Sequence, residues 1–152
     1  MVAEGVHPAM ARHVLVPMDV SERSRAALEF ALSHYGDDVI TVLHVTNPLE
    51  DAYFASEEEF YTRVDVFEDQ AAAKAEQIFA DAREKATEYG VTVRTASAFG
   101  APATAIVEFA TEEAVDHIVI GSHGRSGVAR LLLGSVAEKV ARQASVPVTI
   151  VK

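Results

Sequence analysis

Val39-Ile40-Thr41-Val42-Leu43-His44-Val45 is β-branched and apolar at neighbouring positions, so a strand through it is apolar on both faces. A half-solvated strand would alternate, whereas one apolar on both sides belongs in a parallel sheet covered by helices. The flanking sequence agrees. Val14-Leu15-Val16 upstream, bounded by Pro17 and Asp19, and His117-Ile118-Val119-Ile120 downstream are further short apolar runs. Helical stripes lie between them. Ser21 reads as the N-cap of a helix whose stripe, led by Ser24 or Ala27, continues through Leu28, Ala31, Leu32 and Tyr35 to a stop at Gly36. Phe67, Ala71, Ala75, Ile78, Ala82, Ala86 and Tyr89 recur at spacings of three and four, the core face of a long helix ended by Gly90. Ala103, Ile106, Val107, Ala110 and Ala114 form a third stripe with Pro102 in its first turn. A last helix from about Ser135 to Ala144 leads to the strand Val146-Pro147-Val148-Thr149-Ile150-Val151.

Strands alternating with helices predict an α/β fold: an open, parallel five-stranded sheet with helices on both faces. Two strands have the marks of edges. Val91-Thr92-Val93-Arg94 alternates as if one side were wet, and Pro147 has no N–H to give a central ladder. The order 3-2-1-4-5 satisfies both. In that order the chain reverses direction between the first and fourth strands, and ligands of open α/β sheets bind at such a switch point, outside the carboxyl ends of the strands. The expected crevice lies between Pro17-Met18-Asp19 and the loop beginning at Gly121. Residues 1–11 show no periodicity and are expected to form a flexible tail before one domain over 12–152. The polar stretch from Thr46 to about Val64 reads as a long connection, its Glu57-Glu58-Glu59 run a solvated face.

Composition narrows the function. At 152 residues a chain buries roughly 68–70% of its unfolded surface and needs no covalent staple. The absence of cysteine excludes disulfides, thiol catalysis and cysteine-held metals. No apolar run reaches the roughly 18–20 residues of a membrane helix, and Met1-Val2-Ala3-Glu4-Gly5 lacks the features of a secretory leader, so a cytoplasmic protein away from membranes is expected. A net charge of −10 opposes nucleic-acid binding. The charge is uneven: residues 46–90 carry 12 acids and 4 bases, residues 91–152 only 5 acids and 6 bases. An anion would therefore be held by the last third. The six histidines show no ligand spacing, so no metal site is expected from protein side chains. His44 is expected to be a hydrogen-bonded core residue.

Gly121-Ser122-His123-Gly124-Arg125-Ser126-Gly127 leaves the fourth strand, and Gly134-Ser135 opens the last helix. Glycines allow close backbone approach and an anion nest, and a helix start offers free N–H groups at the positive end of its dipole. Ser122, Ser126, Ser135, Arg125 and Arg130 supply further donors, and His123 either reaches a phosphate or is simply solvated. The plain alternative is that the glycines turn the chain and Ser135 caps a helix. The segment is neither a Walker A loop nor a dinucleotide fingerprint, which would follow the first strand. Asp19 has two readings as well, a turn cap before Ser21 or a contact to ribose.

Gly121-x2-Gly124-x9-Gly134-Ser135 resembles the ATP-binding signature of the universal stress protein family, the UspA-like domain. Val14-Leu15-Val16-Pro17-Met18-Asp19-x-Ser21, Leu43-His44-Val45, Gly100-x-Pro102 and Val146-Pro147-Val148 resemble its other motifs, so the likeness spans about residues 12–152. It implies a Rossmann-like, nucleotide-binding and usually dimeric stress-response protein. By position, Pro17, Met18 and Asp19 would line the adenosine pocket, with the Asp19 carboxylate accepting from ribose hydroxyls, and Val45 would contact adenine. Ile120 and Gly121 would flank the ribose and first phosphate. Gly124, Arg125, Gly134, Ser135 and Val136, with Ser122 and His123 beside them, would hold the phosphates of ATP, or of ADP or AMP, with Mg2+ carried on the nucleotide.

The expected function is an ATP-binding regulatory module, dimeric through the exposed last strand, Val146 to Val151. No catalytic residue is assigned, because no nucleophile or general base is placed in line with the proposed phosphates. Slow ATP hydrolysis, or autophosphorylation at Ser122, Ser126 or Ser135, is one alternative; a structural dimer without nucleotide is another.

Overall fold

Strands that are apolar on both sides need two helical layers, and the computed structural model supplies them. It describes residues 11–48, 58, 64–122 and 133–152. The elements are β1 (His13–Pro17), α1 (Glu22–His34), β2 (Val39–Thr46), α2 (Val64–Glu88), β3 (Arg94–Phe99), α3 (Pro102–Glu112), β4 (His117–Gly121), α4 (Ser135–Gln143) and β5 (Val148–Val151). All strand pairs are parallel and the order is β3-β2-β1-β4-β5, as the edge arguments required. Apart from Ala11, the tail expected over 1–11 lies outside the described residues. So does most of the connection expected between Thr46 and Val64.

The period of two sorts each central strand between two cores. Val14, Val16, Ile40, Val42 and Val119 face α1 and α2, against Ala27, Leu28, Ala31, Ala75, Ile78 and Phe79. Leu15, Leu43, Ile118 and Ile120 face α3 and α4, against Ala103, Ile106, Ala110, Ala137 and Val140. Leu15 and Ile118 are wholly buried on one side of the sheet, Val14 and Val119 on the other; such burial is worth about 1.5–3 kcal/mol per large aliphatic side chain. This two-sided demand is why β1 and β2 read as continuous apolar runs. No described helix is long and apolar enough to cross a membrane.

Several boundaries differ from the sequence reading. β3 starts at Arg94, not Val91, because Val91 N–H closes the end of α2 by donating to Ala86 O (3.0 Å) beside Gly90 at φ +69°. Val91 and Val93 still pack inward, as the exit from the helix rather than as strand. β5 starts at Val148, not Val146; Pro147 contributes only its carbonyl, which accepts from Ile118 N–H at 3.0 Å. Ala114 lies past the end of α3, exposed and at φ +52°. Tyr89, expected in the core stripe of α2, follows the last helical residue and is 41% exposed, while Phe79 joins the buried face beside Ile78. α4 ends at Gln143, with Ala144 as its C-cap.

Candidate functional site

The switch point is where β1 and β4, neighbours in space but not in sequence, deliver their carboxyl ends. Their ladder registers only Val14 with His117 and Leu15 with Ile118, whereas β1 pairs with β2 through all five of its residues. Past those pairs, Pro17-Met18-Asp19 and Ile120-Gly121-Ser122 continue to the rim side by side. Gly121 has a packing reason to be glycine: a Cβ there would stand 2.7 Å from the Arg23 carbonyl carbon, so the first turn of α1 lies directly over the end of β4. The close approach that the sequence suggested for a ligand is made at this position by the protein's own backbone.

Ser122 then ties three elements together. Its N–H donates to Val151 O of β5 at 2.8 Å, and its carbonyl accepts from Gly134 N–H at 2.6 Å. The second bond brings the N-terminus of α4 to the end of β4. The N-cap of α4 is Gly134, not Ser135; Gly134 has no side chain with which to cap, and Ser135 is the exposed first residue of the helix. The expectation that Ser135 caps the helix is thereby corrected. The first-turn N–H groups of Ser135, Val136 and Ala137 have no carbonyl four residues back within the helix, and no side chain on Gly134 to serve them. With the helix dipole behind them, they form a site suited to an anion.

At the end of β1 the backbone bends through a local network. Asp19 Oδ1 accepts from Ser21 N–H at 2.7 Å, and Asp19 N–H donates to Ser24 Oγ at 3.3 Å. Ser21 in turn caps α1, its hydroxyl accepting from Ser24 N–H at 3.2 Å. Asp19 is thus a turn cap through one carboxylate oxygen, while no described residue bonds to the other. Val45 sits at the carboxyl end of β2, half-buried on the α3 side of the sheet, the side that also holds Ile120. His44, one residue earlier, is the hydrogen-bonded core residue expected of it: Nδ1 lies 2.8 Å from Met18 O.

Pro17, Met18, Asp19, Val45, Ile120, Gly121, Ser122, Gly134, Ser135 and Val136 therefore gather at one end of the sheet, at the tips of β1, β2 and β4 and the start of α4. His123, Gly124 and Arg125, with Ser126, Gly127 and Arg130, lie outside the described residues. Two contacts escaped the sequence, the backbone of Arg23 against Gly121 and the bond from His44 to Met18. Both join residues far apart in the chain, and only the odd polarity of a histidine inside an apolar strand hinted at the second.

A sequence model of the Universal stress protein family matches residues 10–152. Universal stress protein YxiE of Bacillus subtilis is 34% identical over 152 residues, covering 94% of this chain and 100% of that protein. Universal stress protein MJ0577 of Methanocaldococcus jannaschii is 30% identical, over 94% of this chain and 96% of that protein. The solved structure of MJ0577 superposes with a TM-score of 0.76 and matching coverage. A solved universal stress protein in complex with cAMP is 28% identical, with a TM-score of 0.70 over 93% of this chain and 97% of that one.

Proposed function

Because the chain belongs to the universal stress protein family, we propose that it is an ATP-binding regulatory module whose nucleotide sits at the switch point of the sheet. The observation that carries this reading is the 2.6 Å bond from Gly134 N–H to Ser122 O, which sets the N-terminus of α4 beside the end of β4, close to the end of β1. That arrangement offers backbone donors for phosphate and, on Asp19, a carboxylate oxygen for ribose. The related protein solved with cAMP supports the ligand class.

In this reading Pro17, Met18 and Val45 line the adenosine, and the second oxygen of Asp19 accepts from the ribose. Ile120, Gly121 and Ser122 flank the ribose and first phosphate. Ser135 and Val136 offer first-turn N–H groups to the phosphate chain, joined by Gly134 and by His123, Gly124 and Arg125 from the segment between. Mg2+ arrives on the phosphates, whose charge it shares, and no protein side chain is assigned to it.

The module acts by being occupied rather than by turnover. Asp19 belongs to the ribose end and already spends one oxygen on the Ser21 N–H. Ser122 is 3% exposed, a poor position for a phosphoryl acceptor. Occupancy alters the surface between β4 and α4, and a partner that distinguishes the two states reads it. Two copies associate through the edge strand β5 in the cytoplasm.

The test is the nucleotide content of the purified protein by acid release and chromatography, then calorimetric titration with ATP–Mg2+. Saturable binding that Gly124→Val abolishes is the expected result. No bound nucleotide and no heat of binding would overturn the reading. Light scattering on the same sample is expected to give twice the 16.3 kDa chain mass.

A further inference from the structure

His44 is 3% exposed, and among the described residues one of its ring nitrogens is bonded and the other not. Nδ1 lies 2.8 Å from Met18 O, while Nε2 is buried and no described residue bonds to it. A carbonyl oxygen only accepts, so Nδ1 carries a proton and the bond runs from the ring to Met18 O. A leucine or phenylalanine could fill the same space without stranding a buried polar atom. Packing alone therefore does not account for an imidazole, and the bond to Met18 does.

That bond completes a clamp. Met18 N–H donates to Leu43 O at 2.8 Å, extending the β1–β2 ladder one residue past β1. With its carbonyl held by His44, Met18 is tied to β2 from both sides. The Met18 carbonyl and the Asp19 N–H share one planar peptide, so fixing the first fixes the direction of the second. Asp19 N–H then meets Ser24 Oγ, and Asp19 Oδ1 meets Ser21 N–H. Backbone and first carboxylate oxygen are thus both oriented, and so is the remaining oxygen.

We propose that His44 is a positioning residue for nucleotide recognition: its bond to the Met18 carbonyl aims the second oxygen of Asp19 at the ribose hydroxyls. The proposal rests on the nucleotide reading above and adds to it the element that sets the sugar specificity. The competing account is that Ser21 and Ser24 orient Asp19 unaided, with His44 only filling space.

The experiment measures affinity for ATP–Mg2+ and for 2′,3′-dideoxy-ATP–Mg2+ in the wild type, His44→Leu and His44→Asn. The wild type is expected to prefer ATP by about ten- to a hundredfold, the worth of hydrogen bonds to a carboxylate. His44→Leu is expected to shrink that preference to about threefold or less while leaving dideoxy-ATP affinity nearly unchanged. His44→Asn carries an N–H donor at the place of Nδ1 and is expected to restore most of the preference. A packing role would weaken both nucleotides alike, so an intact preference in His44→Leu would overturn the proposal. So would a wild type that binds both nucleotides equally. A wild type that binds no ATP would overturn the nucleotide reading itself, and the proposal with it. Should His44→Leu fail to fold, long-range 1H–15N spectra of the wild-type imidazoles decide the point. Protonation at Nδ1 is expected, and a tautomer protonated only at Nε2 would overturn the clamp.

Discussion

The backbone of Arg23 occupies the space in which a side chain on Gly121 would begin. A Cβ built on Gly121 would stand 2.7 Å from the Arg23 carbonyl carbon and 2.8 Å from its oxygen, and backbone cannot swing aside as a side chain can. Gly121→Ala must therefore push the first turn of α1 off the end of β4. The expected cost is about 1–3 kcal/mol, that of overpacking a tight interior. Urea unfolding of the variant checks it, and a midpoint equal to that of the wild type would contradict the contact.

Asp19 divides its carboxylate between fold and proposed ligand, and two substitutions separate the shares. Asp19→Asn keeps an acceptor for the Ser21 N–H, so stability should stay within about 1 kcal/mol of the wild type. ATP affinity should fall about tenfold as the charged acceptor is lost. Asp19→Ala removes both and should lower both. Melting curves paired with nucleotide titrations give the comparison; an Asp19→Asn protein that binds ATP undiminished would remove Asp19 from the site.

Ser135→Glu should move stability and binding in opposite directions. A carboxylate in the first turn of α4 meets the positive end of the helix dipole and should add about 0.3–1 kcal/mol. The same charge repels phosphate, so ATP affinity should drop at least about tenfold. A structural dimer that never binds nucleotide would show only the first effect.

His117, at the opposite end of the sheet, makes stability depend on pH. Burial first, and then the nearby Arg12 guanidinium, hold its pKa below the ordinary 6.5. Its Nε2 lies 2.7 Å from Thr149 Oγ1, and the Tyr35 ring stands 5.2 Å away. The unfolded chain therefore takes up this proton first as the pH falls. The His117 contribution is intact above about pH 7, is lost as the pH drops through 6.5, and levels off once the folded group is protonated too. His117→Gln, which can still bond Thr149, should flatten the dependence of unfolding free energy between about pH 7 and 5. Equal slopes in the two proteins would assign the dependence elsewhere.

The strand order was read correctly from two signals that lie just outside the strands they were taken to mark. Pro147 cannot serve a central ladder, and the residues leading into β3 alternate, whereas β1, β2 and β4 are apolar on both sides. Local pattern failed where a non-local or helix-end bond intervened. Val91-Thr92-Val93 has the period of a strand, yet Val91 N–H is claimed by Ala86 O at the end of α2. The positions at the switch point could be read from glycines, a proline and an aspartate in the right order. Why Gly121 must be glycine could not, since the answer is Arg23, nearly a hundred residues earlier and brought there only by the crossover of the chain. The Asp19 carboxylate was half visible: its role as a turn cap lay in the spacing to Ser21, while only the geometry shows that no described residue bonds its second oxygen.

The bond between Ser122 O and Gly134 N–H also has a use in engineering. It fixes the two ends of the intervening segment against each other from outside that segment, so the chain between them closes on an anchor it does not itself supply. Lengthening such a span costs only logarithmically, about 0.6 kcal/mol for each doubling. An insertion between these two anchors is accordingly expected to leave the junction of β4 and α4 in place, which a melting temperature close to that of the wild type would show.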